Sequence, residues 1–89
     1  MFYILSRNAD GKCVDTYFRS FEGAELEMMR QVNELKQLYE VVDSWSIDRM
    51  NLEAGVYDRE ETVLIKGGKR YHFAILDGYF TDDVNNKEG

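Results

Sequence analysis

Residues 20–42 carry an apolar stripe that predicts one long amphipathic helix and constrains the rest of the fold. Apolar side chains recur at positions 21, 24, 28, 32, 35, 39 and 42, the spacing of a single helix face. Ser20 precedes the stripe as a candidate N-cap, and Glu22 and Glu25 lie near the positive end of the helix dipole. A helix with one apolar face must bury it against another layer, so the remaining residues have to supply that layer.

The N-terminal residues predict a β-hairpin. Segments 2–7 and 12–18 alternate in hydropathy and flank a turn-forming sequence. We expect a three-residue loop, residues 9–11, with Gly11 at positive φ and Asn8 opposite Lys12. In this register the residues that share the core face are Phe2, Ile4, Val14 and Phe18.

A second hairpin is predicted around Gly67-Gly68, between segments 62–66 and 69–76. A two-residue turn would mix polar and apolar side chains on each face, whereas a three-residue loop, residues 66–68, separates them. That register gives one face to Val63, Ile65, Tyr71, Phe73 and Ile75. Before this hairpin, residues 44–49 alternate as a further strand, with Trp45 and Ile47 on one side.

These elements predict a two-layer α+β fold in the order ββαβββ. A mainly antiparallel sheet of about five strands carries one long helix on one face, and strand three enters between the hairpins. The chain has no proline and no linker-like stretch, so we expect one domain over residues 1–80 and a flexible polar tail over 81–89. The expected buried contacts join Phe21, Met28, Val32, Leu35 and Tyr39 to Ile4, Val14, Ile47, Val63 and Phe73.

The residues that usually carry chemistry are scarce. Among 89 residues there is one cysteine, Cys13, and one histidine, His72, so no intrachain disulfide, thiolate cage or pair of imidazole ligands can form. Both residues are interpreted as ordinary strand residues, and the acids at 58–61 lack the spacing of a calcium loop. We therefore predict no catalytic, metal or cofactor site. With no signal-peptide pattern and no membrane span, a cytoplasmic location is expected.

Charge points to a protein partner. The chain has 17 acidic and 11 basic residues, a net charge of −6, which disfavours direct nucleic-acid binding and favours a basic protein surface. Acids accumulate on the helix and at 58–61, and Leu26 and Met29 lie off the apolar stripe. The partner-binding residues that we predict are Glu22, Glu25, Leu26, Met29, Asp58, Glu60 and Glu61.

Two other surfaces stay open as candidates. The segment Lys66–Arg70 forms a basic hairpin tip, although it lacks the spacing of a phosphate-binding loop. The second candidate is the sheet face away from the helix, because a single helix covers only one face of a sheet. Under the predicted registers its apolar residues are Tyr3, Leu5, Tyr17, Leu64 and Leu76, accompanied by Arg7, Cys13, Asp15, Arg70 and His72.

The leading hypothesis is a non-enzymatic protein-binding protein. In size, acidity and lack of catalytic motifs the chain resembles, as a class, the small inhibitors encoded by phages and mobile elements, including anti-CRISPR proteins and DNA mimics. This resemblance implies an inhibitor of a nucleic-acid-binding protein, and it assigns no residue roles because no motif carries it. The alternative is a self-assembling structural or regulatory module that forms a homodimer through the open sheet face.

Overall fold

The computed structural model describes residues 2–51 and 56–77, and in them one helix packs on a five-stranded antiparallel sheet. The elements are β1 Tyr3–Ala9, β2 Lys12–Phe18, α1 Phe21–Leu38, β3 Val41–Asn51, β4 Val56–Ile65 and β5 Arg70–Asp77. The predicted α+β fold with the order ββαβββ is confirmed. The strands lie in the order β2-β1-β5-β4-β3, so β3 occupies an edge and does not lie between the hairpins. The predicted tail, residues 81–89, lies outside the described residues.

The first hairpin has a shorter turn than predicted. Ala9 lies opposite Lys12 and Asn8 opposite Cys13, so the turn contains only Asp10 and Gly11. Their φ angles of 53° and 74° are those of a type I′ turn, in which both central residues have positive φ. The predicted three-residue loop is wrong because Asp10 adopts the left-handed conformation.

This one-residue difference changes which side chains of β1 face the helix. Tyr3 and Leu5 lie on the helix side, in contact with the core, whereas Ile4 lies on the other face beside Tyr17. The predicted register places Tyr3, Leu5 and Arg7 on the open face and Phe2 and Ile4 on the core face, and for these residues it is wrong. A single-residue shift in register exchanges the two faces of one strand relative to its neighbour.

The second hairpin has the predicted register. The Ile65 amide donates to the carbonyl oxygen of Lys69 at 3.0 Å, which closes a loop of Lys66, Gly67 and Gly68. Both glycines have positive φ, 102° and 93°, a conformation that a side chain disfavours. The five apolar residues predicted to share a face are all buried on the helix side: Val63, Ile65, Tyr71, Phe73 and Ile75.

The helix begins as predicted and ends earlier. The Ser20 hydroxyl oxygen accepts a hydrogen bond from the Gly23 amide at 3.1 Å, and the helix ends at Leu38. Tyr39 follows in extended conformation with φ −132° and ψ 157°, and Val42 belongs to β3. Tyr39 stacks on Tyr71 but remains 46% exposed, so its predicted burial is wrong.

The core lies between the helix and the middle of the sheet. Its buried members are Leu5, Ala24, Met28, Val32, Leu35, Val63, Ile65, Tyr71, Phe73 and Ile75. Besides Phe2, Ile4 and Tyr39, two further expected core residues, Val14 and Ile47, are absent from it. Val14, on the edge strand β2, is 60% exposed, and Ile47 lies on the face away from the helix, beside Glu60 of β4.

Candidate protein-binding site

The acidic segment 58–61 belongs to strand β4, and it builds an ionic junction between sheet and helix. The Arg59 Nε donates to Glu25 Oε2 of the helix at 3.0 Å, and Arg59 Nη1 donates to Glu61 Oε2. Both Arg59 and Glu61 have side chains only 9% exposed. Burial opposes the charge, yet the hydrogen bonds to Glu61 and Glu25 raise the pKa of Arg59 above its ordinary value.

This junction removes part of the predicted binding surface. Glu61 is buried on the helix side of the sheet, so it does not form the exposed acidic patch expected for it. Met29 packs against the core, with its Sδ 3.5 Å from Arg59 Nη2, and it does not form an exposed spot with Leu26. Glu25 remains at the surface but is held by Arg59.

The other predicted residues lie on two different surfaces. Glu22 and Leu26 are exposed on the outer helix surface, Leu26 at 73%. Asp58 pairs with Arg49 of β3 at 3.4 Å. Glu60 lies two residues from Asp58 on the same sheet face, away from the helix, with its Oε1 2.6 Å from His72 Nε2. The structure therefore does not bring the seven predicted residues together, and whether any of them binds a partner stays a prediction.

The sheet face opposite the helix, called the open face below, has no helix or strand packed on it within residues 2–51 and 56–77. The strand registers arrange its side chains in rows that cross the sheet. One row contains Tyr17, Ile4 and Leu76. The next contains Asp15, Ser6, Ala74, Glu60 and Ile47. The third contains Cys13, Asn8, His72, Thr62 and Trp45.

Large apolar side chains remain accessible on the open face. Tyr17 is 55% exposed, Leu76 50% and Trp45 43%, and Ile4 is buried between the first two. The Phe2 ring lies 5.5 Å from that of Tyr17, next to a depression of about 530 Å³. The lining residues of this depression are Phe2, Tyr17, Phe18 and Arg19.

Only part of this surface is predictable from the sequence. Tyr17, Leu64 and Leu76 are predicted on the open face and lie there. Ile4 and Ile47 are predicted in the core, and Trp45 on the same side as Ile47, but all three lie on the open face. The signal that could have located Ile4 is the Asp10-Gly11 dipeptide, since Asp-Gly is a common type I′ turn sequence. A two-residue turn at Asp10-Gly11 places the even-numbered residues of β1, including Ile4, on the same sheet face as Tyr17.

The cysteine and the histidine of the open face belong to two separate polar groups. Cys13 Sγ lies 3.2 Å from Ser6 Oγ and 3.5 Å from Asp15 Oδ1, while His72 is engaged with Glu60. Asn8 lies between Cys13 and His72 in the register, which separates their Cα atoms by about 10 Å, two strand spacings. Over the described ranges, no three His, Cys, Asp or Glu side chains group to hold a metal ion.

The basic hairpin tip is engaged with carboxylates. Lys69 Nζ lies 3.0 Å from Asp10 of the first hairpin and 5.0 Å from the centre of the Tyr71 ring. The hydrogen bond with Tyr71, followed by that with Asp10, raises the pKa of Lys69. Lys66 Nζ lies 3.4 Å from Glu40. Two of the cations predicted for an anion site thus have acidic neighbours already.

Comparison with family models, curated proteins and solved structures gives no match to this chain. In the part that the structure describes, no helix combines the length and apolar character needed to span a bilayer.

Proposed function

We propose that this is a non-enzymatic, cytoplasmic protein-binding protein, and that the open face is its binding surface. The observation that carries the proposal is the exposure of Tyr17, Trp45 and Leu76 on one sheet face. Aromatic side chains are enriched at protein interfaces because they bury a large area and lose little conformational entropy. Exposed on a face on which no helix or strand packs within residues 2–51 and 56–77, they favour a partner over solvent.

The charge of the molecule supports a basic partner. The net charge is −6, and Asp15 and Glu60 lie among the apolar residues of the open face. A negative potential around an apolar surface accelerates encounters with a positive surface. Nucleic-acid-binding proteins expose such surfaces, so we propose an inhibitor of one of them, of the phage-encoded, anti-CRISPR or DNA-mimic kind.

Substitutions on two surfaces test this proposal. Tyr17→Lys and Leu76→Lys change exposed residues of the open face, and Leu26→Lys is the matched control on the outer helix surface. Each variant is immobilised, incubated with lysate of the expressing cell, and analysed by mass spectrometry after circular dichroism has verified folding. We expect the parent and Leu26→Lys to retain one basic nucleic-acid-binding protein, and both open-face variants to lose it.

The opposite pattern would contradict the proposal. Retention of the partner by both open-face variants, with loss in Leu26→Lys, would place binding on the helix. Capture of an acidic partner would leave the open face as the site but reject the inhibitor class. If the parent captures nothing and instead forms a dimer that Tyr17→Lys dissociates, the alternative of self-assembly through the open face is the better function.

A further inference from the structure

Strand β3 is an unusually long edge strand. It runs for 11 residues, Val41–Asn51, and among the described strands it pairs only with β4. The other edge, β2, has seven residues. A long edge without proline presents a row of backbone donors and acceptors on which another strand can pair, and folded proteins usually shorten or cover such edges.

We propose that two copies of this chain pair antiparallel through β3, with the twofold axis at Ser46. A twofold axis perpendicular to the sheet keeps each face continuous, so residues equidistant from Ser46 lie opposite each other. Asp43 then faces Arg49 of the second copy, and Trp45 faces Ile47. By symmetry each pair occurs twice. The two five-stranded sheets join into one sheet of ten strands.

Two copies of β3 form fewer favourable cross-strand residue pairs in the neighbouring registers. Centring the axis on Trp45 places Asp43 opposite Ile47, and centring it on Ile47 places Trp45 opposite Arg49. Neither register pairs opposite charges on the open face. At the other edge, centring the axis on Asp15 in the middle of β2 places that carboxylate opposite its own copy, and like charges directly opposite are unfavourable.

The local structure leaves the charged residues accessible. Arg49 contacts Asp58 at 3.4 Å with its side chain 72% exposed, so it stays at the surface. The Asp43 carboxylate accepts a hydrogen bond from the Ser44 amide at 2.9 Å and is also exposed. A register shift between Val41 and Asp43 limits the proposed pairing to residues 43–49.

This dimer goes beyond the proposed function and does not rest on it. It uses the strand edge and leaves Tyr17 and Leu76, which lie on β2 and β5, free for a partner. It also joins the open faces of the two copies side by side, so that one partner with repeated basic segments can contact both.

Charge reversal tests the pairing. Sedimentation equilibrium should find a dimer, and Asp43→Arg should raise its dissociation constant about tenfold or more, since two attractive pairs become repulsive. Adding Arg49→Asp to Asp43→Arg should recover most of the affinity, because opposite charges face each other again. Asp15→Arg, an exposed reversal on the other edge, is the control and should leave the dissociation constant unchanged.

Crosslinking tests the register. In a Cys13→Ser background, Ser46→Cys places the two introduced thiols opposite each other on the axis, within the Cα separation that a disulfide requires. The matched control is Ser44→Cys, whose introduced thiols lie four residues apart along the strands, about 13 Å, too far to bridge. We expect oxidation to give a covalent dimer for Ser46→Cys and none for Ser44→Cys.

Three results would overturn the edge dimer. A monomer at all accessible concentrations would exclude it, and so would crosslinking of Ser44→Cys in preference to Ser46→Cys. A dimer that Tyr17→Lys dissociates and Asp43→Arg leaves intact would assign self-association to the open face. Failure of partner capture leaves all three readouts unaffected, so the two proposals are tested separately.

Discussion

Arg59 joins the helix to the sheet by charge, at a position where apolar packing would be the usual solution. Its guanidinium bridges Glu25 on α1 and Glu61 on β4, and it touches the Met29 sulfur. The four consecutive charged residues Asp58, Arg59, Glu60 and Glu61 have the hydropathy expected of a solvent-exposed loop. Hydropathy cannot show that Arg59 and Glu61 neutralise each other in the interior, so the strand predicted from residue 62 begins too late; β4 begins at Val56.

Reversing one charge in this junction should destabilise the protein. In Glu61→Lys a nearly buried ammonium faces Arg59 in place of its carboxylate, and we expect the free energy of unfolding to fall by about 3–5 kcal/mol. Glu40→Lys is the control, because Glu40 forms an exposed pair with Lys66, and it should cost less than about 1 kcal/mol. Urea denaturation measures both. Equal stability of the two variants would show that the junction does not support the fold.

Glu27 should make the protein sensitive to acid. Hydrogen bonds from Arg30, then from Gln31, lower the pKa of Glu27 from 4.5 to about 2. Between these values the unfolded chain binds more protons than the folded one, so stability is present above pH 4.5 and is lost as the pH falls towards 2. Urea midpoints across this range should fall more for the parent than for Glu27→Gln, and parallel decreases would contradict the assignment.

The two hairpins show what local sequence can determine. In the second, only a three-residue loop separates polar from apolar residues, so the hydropathy pattern alone selects the observed register. In the first, Phe2, Ile4, Tyr3 and Leu5 are all apolar, and both registers give an apolar face. The decision there depends on whether Asp10 adopts positive φ, a backbone choice that hydropathy does not encode.

Helix α1 permits a matched test of the predicted apolar stripe. Leu35 is 4% exposed in the core and Leu38, one turn later, is 65% exposed. Leu35→Ala should lower the free energy of unfolding by about 2–5 kcal/mol, since it removes packed atoms and leaves a cavity. Leu38→Ala should change it by less than about 0.5 kcal/mol. Chemical denaturation of both variants checks the helix orientation, and a larger loss for Leu38→Ala would reverse it.

Strand order decides which side chains become neighbours on the molecular surface, and the hydropathy pattern does not contain that order. Glu60 and Glu61 are adjacent in the chain but point to opposite faces of β4. Tyr17 and Leu76 are far apart in the chain but flank Ile4 in one row. The acidic composition was evident from the sequence, whereas the grouping of surface residues follows from long-range pairing.

The separation of charge from apolar surface leads to a kinetic prediction. Glu22 and Glu40 are exposed acids on or just after the helix, away from the open face, so they can act on a basic partner only through long-range attraction. Replacing both by Gln should slow association at low salt and leave dissociation almost unchanged, because steering acts on the encounter. Tyr17→Ala should do the reverse, since lost interface contacts mainly shorten the lifetime of a complex.

Surface plasmon resonance with the captured partner, at low and physiological salt, measures both rates. If the double substitution accelerates dissociation instead, the partner contacts the helix directly, and the binding surface extends beyond the open face.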